Sequence, residues 1–178
     1  QLIAASGTRG GGHIVQIKQE RYLMDMASAA VCDWKRGEEL FNDYPELNTI
    51  FDELNKVEWY FASELKQELK GLDFCFTGSL RSVSPYDWYS PVGHNRDETI
   101  IQGGYRIDND VYFDKKQLTK ISKYDQAMFM IHETMHSFLP MDILERNLKL
   151  RTITRVIGRI GKGKSVNTKE LYFNMYKS

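Results

Sequence analysis

The chain has 178 residues, of which 42% are hydrophobic and 27% charged, a balance that excludes a disordered polymer and predicts one domain with a sizeable core. Lys and Arg together number 24, as do Asp and Glu, so no global field argues for nucleic acid, an anionic membrane surface or an acidic substrate. No apolar run approaches the roughly 20 residues of a transmembrane helix, and a soluble chain is expected.

Residues 1–12 are small and glycine-rich, ending in Gly10-Gly11-Gly12, and predict a flexible N-terminal segment ahead of one domain over 13–178. A start at Gln1 fits removal of an export signal, and fits trimming equally well. Cys32 and Cys75 predict either one disulfide in an oxidising compartment or two buried thiols, and their spacing matches no zinc-binding cysteine pattern. An exported protein, periplasmic or extracellular, is the expectation.

His13–Lys18 alternates as a short strand, and His13 itself reads as a surface or capping histidine. Glu20–Phe41 carries Tyr22, Leu23, Met26, Ala30, Trp34 and Leu40 at loosely helical spacing, which predicts a helix. A longer helix is predicted from Pro45, a residue favoured in a first turn, to Leu69. Its apolar positions include Leu47, Ile50, Phe51, Leu54, Val57, Phe61 and Leu65, and the run Trp59-Tyr60-Phe61 reads as core and rim. Gly71 ends it. Asp73–Val83 reads as a strand or bent ribbon with a bulge at Gly78, and Ser84–Asn95 as a loop rich in Pro, Tyr and Trp that can wall a site. Glu98–Asp114 predicts a hairpin turning at Asp108-Asn109-Asp110. Asp125–Leu139 lacks Gly and Pro and follows a capping signature formed by Ser122 and Asp125. It predicts a helix with Ala127, Ile131, Thr134 and Phe138 on a packed side. A last helix is predicted from about Pro140 or Met141 to Ile157.

Opposite that packed side stand the two histidines of His132-Glu133-Thr134-Met135-His136. Imidazoles four residues apart lie about one turn apart on one face, where both can reach one small cation, and zinc takes imidazole readily. Glu133 sits roughly 100° round the helix, near enough to bear on water at the metal without being a ligand. The five residues resemble the His-Glu-x-x-His zinc metallopeptidases, with no subfamily assigned. A catalytic zinc usually takes three protein ligands and keeps one position open. Asp142, six residues after His136, has the spacing of the third ligand in the metzincins. Glu145, on the following helix, resembles the glutamate ligand of the gluzincins. One of the two is expected as third ligand, with His94 in reserve. Arg146, Asn147 and Arg151 follow closely, and no role attaches to them from sequence.

Gly158–Ser165 (GRIGKGKS) matches the phosphate-loop pattern, but no succession of βα units precedes it and only thirteen residues follow Ser165. It reads as a helix end with solvated basic neighbours rather than a nucleotide site.

The resemblance implies an α+β, zincin-like fold with several helices, a small mostly antiparallel sheet and the metal on a central helix. In such peptidases a strand beside that helix binds extended substrate by backbone pairing, and Val111–Phe113, the second strand of the hairpin, is placed for it. The implied activity is hydrolysis of peptide or protein substrates with Zn2+ as cofactor, water activated by the metal and Glu133 as general base. The alternative is a non-catalytic binding module in which the motif is structural or accidental.

Overall fold

The computed structural model of the chain describes residues 14–17, 20–23, 32–78, 103–138, 143–167 and 169. In chain order the elements are β1 (Ile14–Ile17), β2 (Glu20–Leu23), β3 (Cys32–Arg36), α1 (Gly37–Asp43), α2 (Pro45–Val57), α3 (Trp59–Gly71) and β4 (Asp73–Thr77). They continue with β5 (Gly104–Ile107), β6 (Asp110–Asp114), α4 (Lys115–Leu118), α5 (Lys123–Thr134), a 3-10 turn at Met135–Ser137 and α6 (Ile143–Gly161). β1 and β2 pair with each other, antiparallel. The remaining strands form a mixed sheet in the order β3-β4-β6-β5, with β4 and β6 parallel and the outer pairings antiparallel.

Alternation along β4 and β6 divides the sheet into two chemistries. Phe74 pairs with Val111 and Phe76 with Phe113, and these four side chains join one hydrophobic core with the helices. The intervening residues turn the other way. There Trp34 stands opposite Cys75 and Cys75 beside Tyr112, with Trp34 and Tyr112 edge to face at 5.7 Å between centroids. The Cys32–Cys75 disulfide ties β3 to β4. Of the two states open to the cysteines from sequence, the chain adopts the bridged one.

Residues 24–31 lie outside the described residues, and the rest of the helix expected over Glu20–Phe41 is instead β2, β3 and the start of α1. Its aromatic spacing was too sparse to define a period, whereas Cys32–Arg36 pairs residue for residue with β4, a partner about forty positions away that no local period reports. The helix expected over Pro45–Leu69 is two helices that fold back on each other, broken at Glu58, whose backbone is extended at φ −149°, ψ 82°. Leu47, Ile50, Phe51 and Leu54 of α2, and Phe61, Leu65 and Leu69 of α3, are buried. Val57, Trp59 and Tyr60 at the break are exposed, so Val57 belongs to the rim and not to the apolar side.

Of the hairpin expected over Glu98–Asp114, the described part forms from Gly104 onward, with Asp108 at φ +52°, a conformation Asp adopts more readily than most residues. Val111–Phe113, however, lies inside the sheet between β4 and β5, where both backbone edges are already paired. Among the described strands, β5 is the edge on that side and lies against α5. Glycine makes close packing feasible on both sides: a Cβ at Gly103 would come within 2.8 Å of Phe129 on α5, and one at Gly104 within 2.6 Å of the Phe113 ring on β6. The strand expected to run on to Val83 ends at Thr77, with Gly78 in a bend. The residues 79–102, including the Ser84–Asn95 loop and His94, lie outside the described residues, as do residues 1–13.

Candidate metal centre

Ser122 starts α5 as its spacing predicted. Its hydroxyl accepts the Asp125 N–H at 3.1 Å and donates to the Asp125 carboxylate at 2.6 Å. Ala127, Ile131 and Thr134 are buried, and Phe138 packs edge to face on Phe61. The helix stops earlier than expected. Thr134 is its last α-helical residue, and His136 is carried by the 3-10 turn that follows.

Arg106 holds that turn in place. Its guanidinium reaches across from β5, donates to the Thr134 carbonyl at 3.1 Å and to the Ser137 hydroxyl, and pairs with Glu68 of α3 at 3.1 Å. The Ser137 hydroxyl in turn donates to Glu68. A cation at a helix C-terminus satisfies orphan carbonyls and complements the negative end of the dipole.

At this braced end the structure brings together three of the expected site residues. His132, Glu133 and His136 each offer a ligand atom, all within 4.8 Å of one another. The two imidazole rings stand nearly perpendicular, 5.6 Å between centroids. Glu133 is 5% exposed and lies with Oε2 3.8 Å from His136 Nε2. His132 Nδ1 is 2.9 Å from the hydroxyl of Thr154 on α6.

Part of His132 reaches solvent, yet the surrounding protein is dense enough to hold its pKa down to about 4. Burial contributes most, followed by the neighbouring His136 and by the charge of Arg151. His132 is therefore neutral near pH 7, the form that binds metal. Two imidazoles and a carboxylate are a donor set that can hold a divalent transition-metal ion, zinc among them.

Asp142 lies outside the described residues, and for Glu145 only the backbone, within α6, is described. Neither is brought to the site or kept from it by anything described. Sequence missed Thr154, Arg106, Glu68 and Ser137. The signal for Thr154 was a hydroxyl on the same helix stripe as the buried Leu150, Ile153 and Ile157. For Arg106 it was a long cation two residues after a glycine on a short strand.

The phosphate-loop match dissolves in this geometry. Gly158–Gly161 is the last turn of α6, and Gly163 at φ +66° closes it, with the Gly163 and Lys164 N–H groups bonded back to Ile160 and Arg159. A phosphate loop needs a helix N-terminus after its glycines; here the glycines finish a helix, whose dipole is negative at that end. No family model matches the chain, and neither a curated protein nor a solved structure matches it.

Proposed function

We propose that this chain is a zinc-dependent metallopeptidase of zincin-like architecture, hydrolysing peptide bonds in peptide or protein substrates. The observation that carries the proposal is the convergence of His132, Glu133 and His136 within 4.8 Å at one braced helix end. Two of these residues hold the ion, His132 as a neutral imidazole, with Asp142 or Glu145 as third ligand. Zinc, when bound, supplies a Lewis acid that polarises a carbonyl and makes water more acidic. Glu133, buried beside the pair, takes the proton of the attacking water and returns it to the leaving amine. Among the described strands, β5 rather than Val111–Phe113 is an edge, and it lies next to α5 where an extended substrate can pair with it. The Cys32–Cys75 bridge favours an exported protein, since such bonds persist in oxidising compartments.

One observation favours a second reading. Glu133 lies as close to the histidines as a ligand would, so the three residues can themselves form a closed site in a non-catalytic binding module. Glu133→Gln separates the two. A general base predicts unchanged zinc affinity and loss of peptide hydrolysis by a factor of about 100 or more, read with a casein or mixed-peptide assay. A ligand predicts that zinc affinity itself falls. Full activity in this variant would rule out the catalytic role, and absence of zinc uptake by the wild-type chain would rule out both readings.

A further inference from the structure

The Thr154 hydroxyl has one proton and two close neighbours. The Leu150 carbonyl oxygen lies 2.7 Å away and His132 Nδ1 2.9 Å away. A carbonyl oxygen only accepts, and two oxygens at 2.7 Å repel unless a proton lies between them, so the hydroxyl proton goes to Leu150. Toward His132 the same oxygen must then accept. Neutral imidazole carries one N–H, and this contact places it on Nδ1, leaving the Nε2 lone pair free.

We propose that Thr154 is a positioning residue for the metal centre: it selects the Nδ1–H tautomer of His132 and fixes the ring so that Nε2 is presented as the ligand atom. The inference rests on the zinc site proposed above and adds to it a partner on α6, eighteen residues beyond His136. The chemistry is that of a ligating histidine whose second nitrogen is anchored by a hydrogen bond, which sets ring orientation and basicity. Leu150 completes the relay, because its carbonyl engages the hydroxyl proton and so leaves Thr154 only its acceptor side. Without the hydroxyl, the Nδ1–H loses the partner it has among the described residues, and the ring can exchange tautomers or turn.

The test compares wild type, Thr154→Val, which keeps the shape and loses the hydroxyl, and Thr154→Ser, which restores it. On the metal-free protein, long-range 1H–15N spectra of the His132 ring report the tautomer directly. The expected result is Nδ1–H in wild type and in the serine variant, and a mixed or Nε2–H population in the valine variant. Zinc titration against a chromophoric chelator should show affinity about 10- to 100-fold weaker for valine and near wild type for serine. A valine variant with both the wild-type tautomer and the wild-type zinc affinity would overturn the assignment. So would an Nε2–H tautomer in the wild-type chain. Should the wild-type chain take up no zinc, the proposed function fails, while the spectra still separate that failure from an error about Thr154. Circular dichroism of the three proteins guards against misreading an unfolded variant, and rescue by serine against a purely structural effect.

Discussion

Protonating His132 in the folded chain means charging a ring that burial, His136 and Arg151 all hold neutral. The unfolded chain binds that proton near the ordinary histidine pKa of about 6.5, the folded chain only near 4. Between those values the unfolded state binds more protons, so stability rises with pH there and is lost as pH falls. The shift corresponds to about 3 kcal/mol, present in full above roughly pH 6.5 and gone below roughly pH 4. Urea unfolding of metal-free protein at pH 7.5 and 4.5, compared with a His132→Gln variant, should show the wild type losing more stability on acidification. Equal losses would mean the ring is not held neutral. At this scale the site was legible because His132, Glu133 and His136 fall within a little more than one turn, where sequence spacing alone sets their separation. Thr154 was not. Which residue of α6 meets His132 depends on how two helices pack, and no local period encodes that.

The element that governs the site is the end of α5. Its α-helical hydrogen bonding gives way at Thr134, and the short 3-10 turn bearing His136 has little intrinsic stability of its own. Arg106 supplies what the turn lacks, with a side chain only 11% exposed and bonds to Thr134, Ser137 and Glu68. Arg106→Ala leaves the Thr134 carbonyl, the Ser137 hydroxyl and the Glu68 carboxylate without this donor, at a cost of about 2 kcal/mol. It should also weaken zinc binding, since His136 rides on the freed turn. Chemical denaturation and zinc titration check the two effects, and a variant unchanged in both would show that the brace is idle. Sequence located α5 through its cap but could not foresee its end, because Arg106 comes from a different element. The break between α2 and α3 was hidden for a related reason: Leu54 and Phe61 are seven residues apart, about two turns, so the apolar stripe stays in phase across it.

Beside the β1–β2 pair, the described residues form a helical layer on one face of a small mixed sheet, with the candidate metal centre among the helices and the disulfide on the sheet's far side. Hydrophobic alternation made the α+β class and the β5–β6 hairpin readable. The sheet order was not readable, because β4 pairs in parallel with β6 across more than thirty residues, and β3 with β4 across three helices. The disulfide bridges cysteines 43 residues apart, and closing such a loop removes enough freedom from the unfolded chain to stabilise the fold by about 4 kcal/mol. A Cys32→Ala, Cys75→Ala double variant should unfold at correspondingly lower urea while binding zinc as before. Loss of zinc binding in a protein that remains folded would mean that the two faces of the sheet are coupled.

That separation makes the bridge useful as a clock. Cys75 is 0% exposed, so after reduction its thiol meets an alkylating reagent only while the packing around it opens. The labelling rate under native conditions then times that local opening, recorded by mass spectrometry, on the face of the sheet away from His132, Glu133 and His136. Adding zinc and watching whether that rate slows would measure how far across the protein an ion at His132 and His136 is felt.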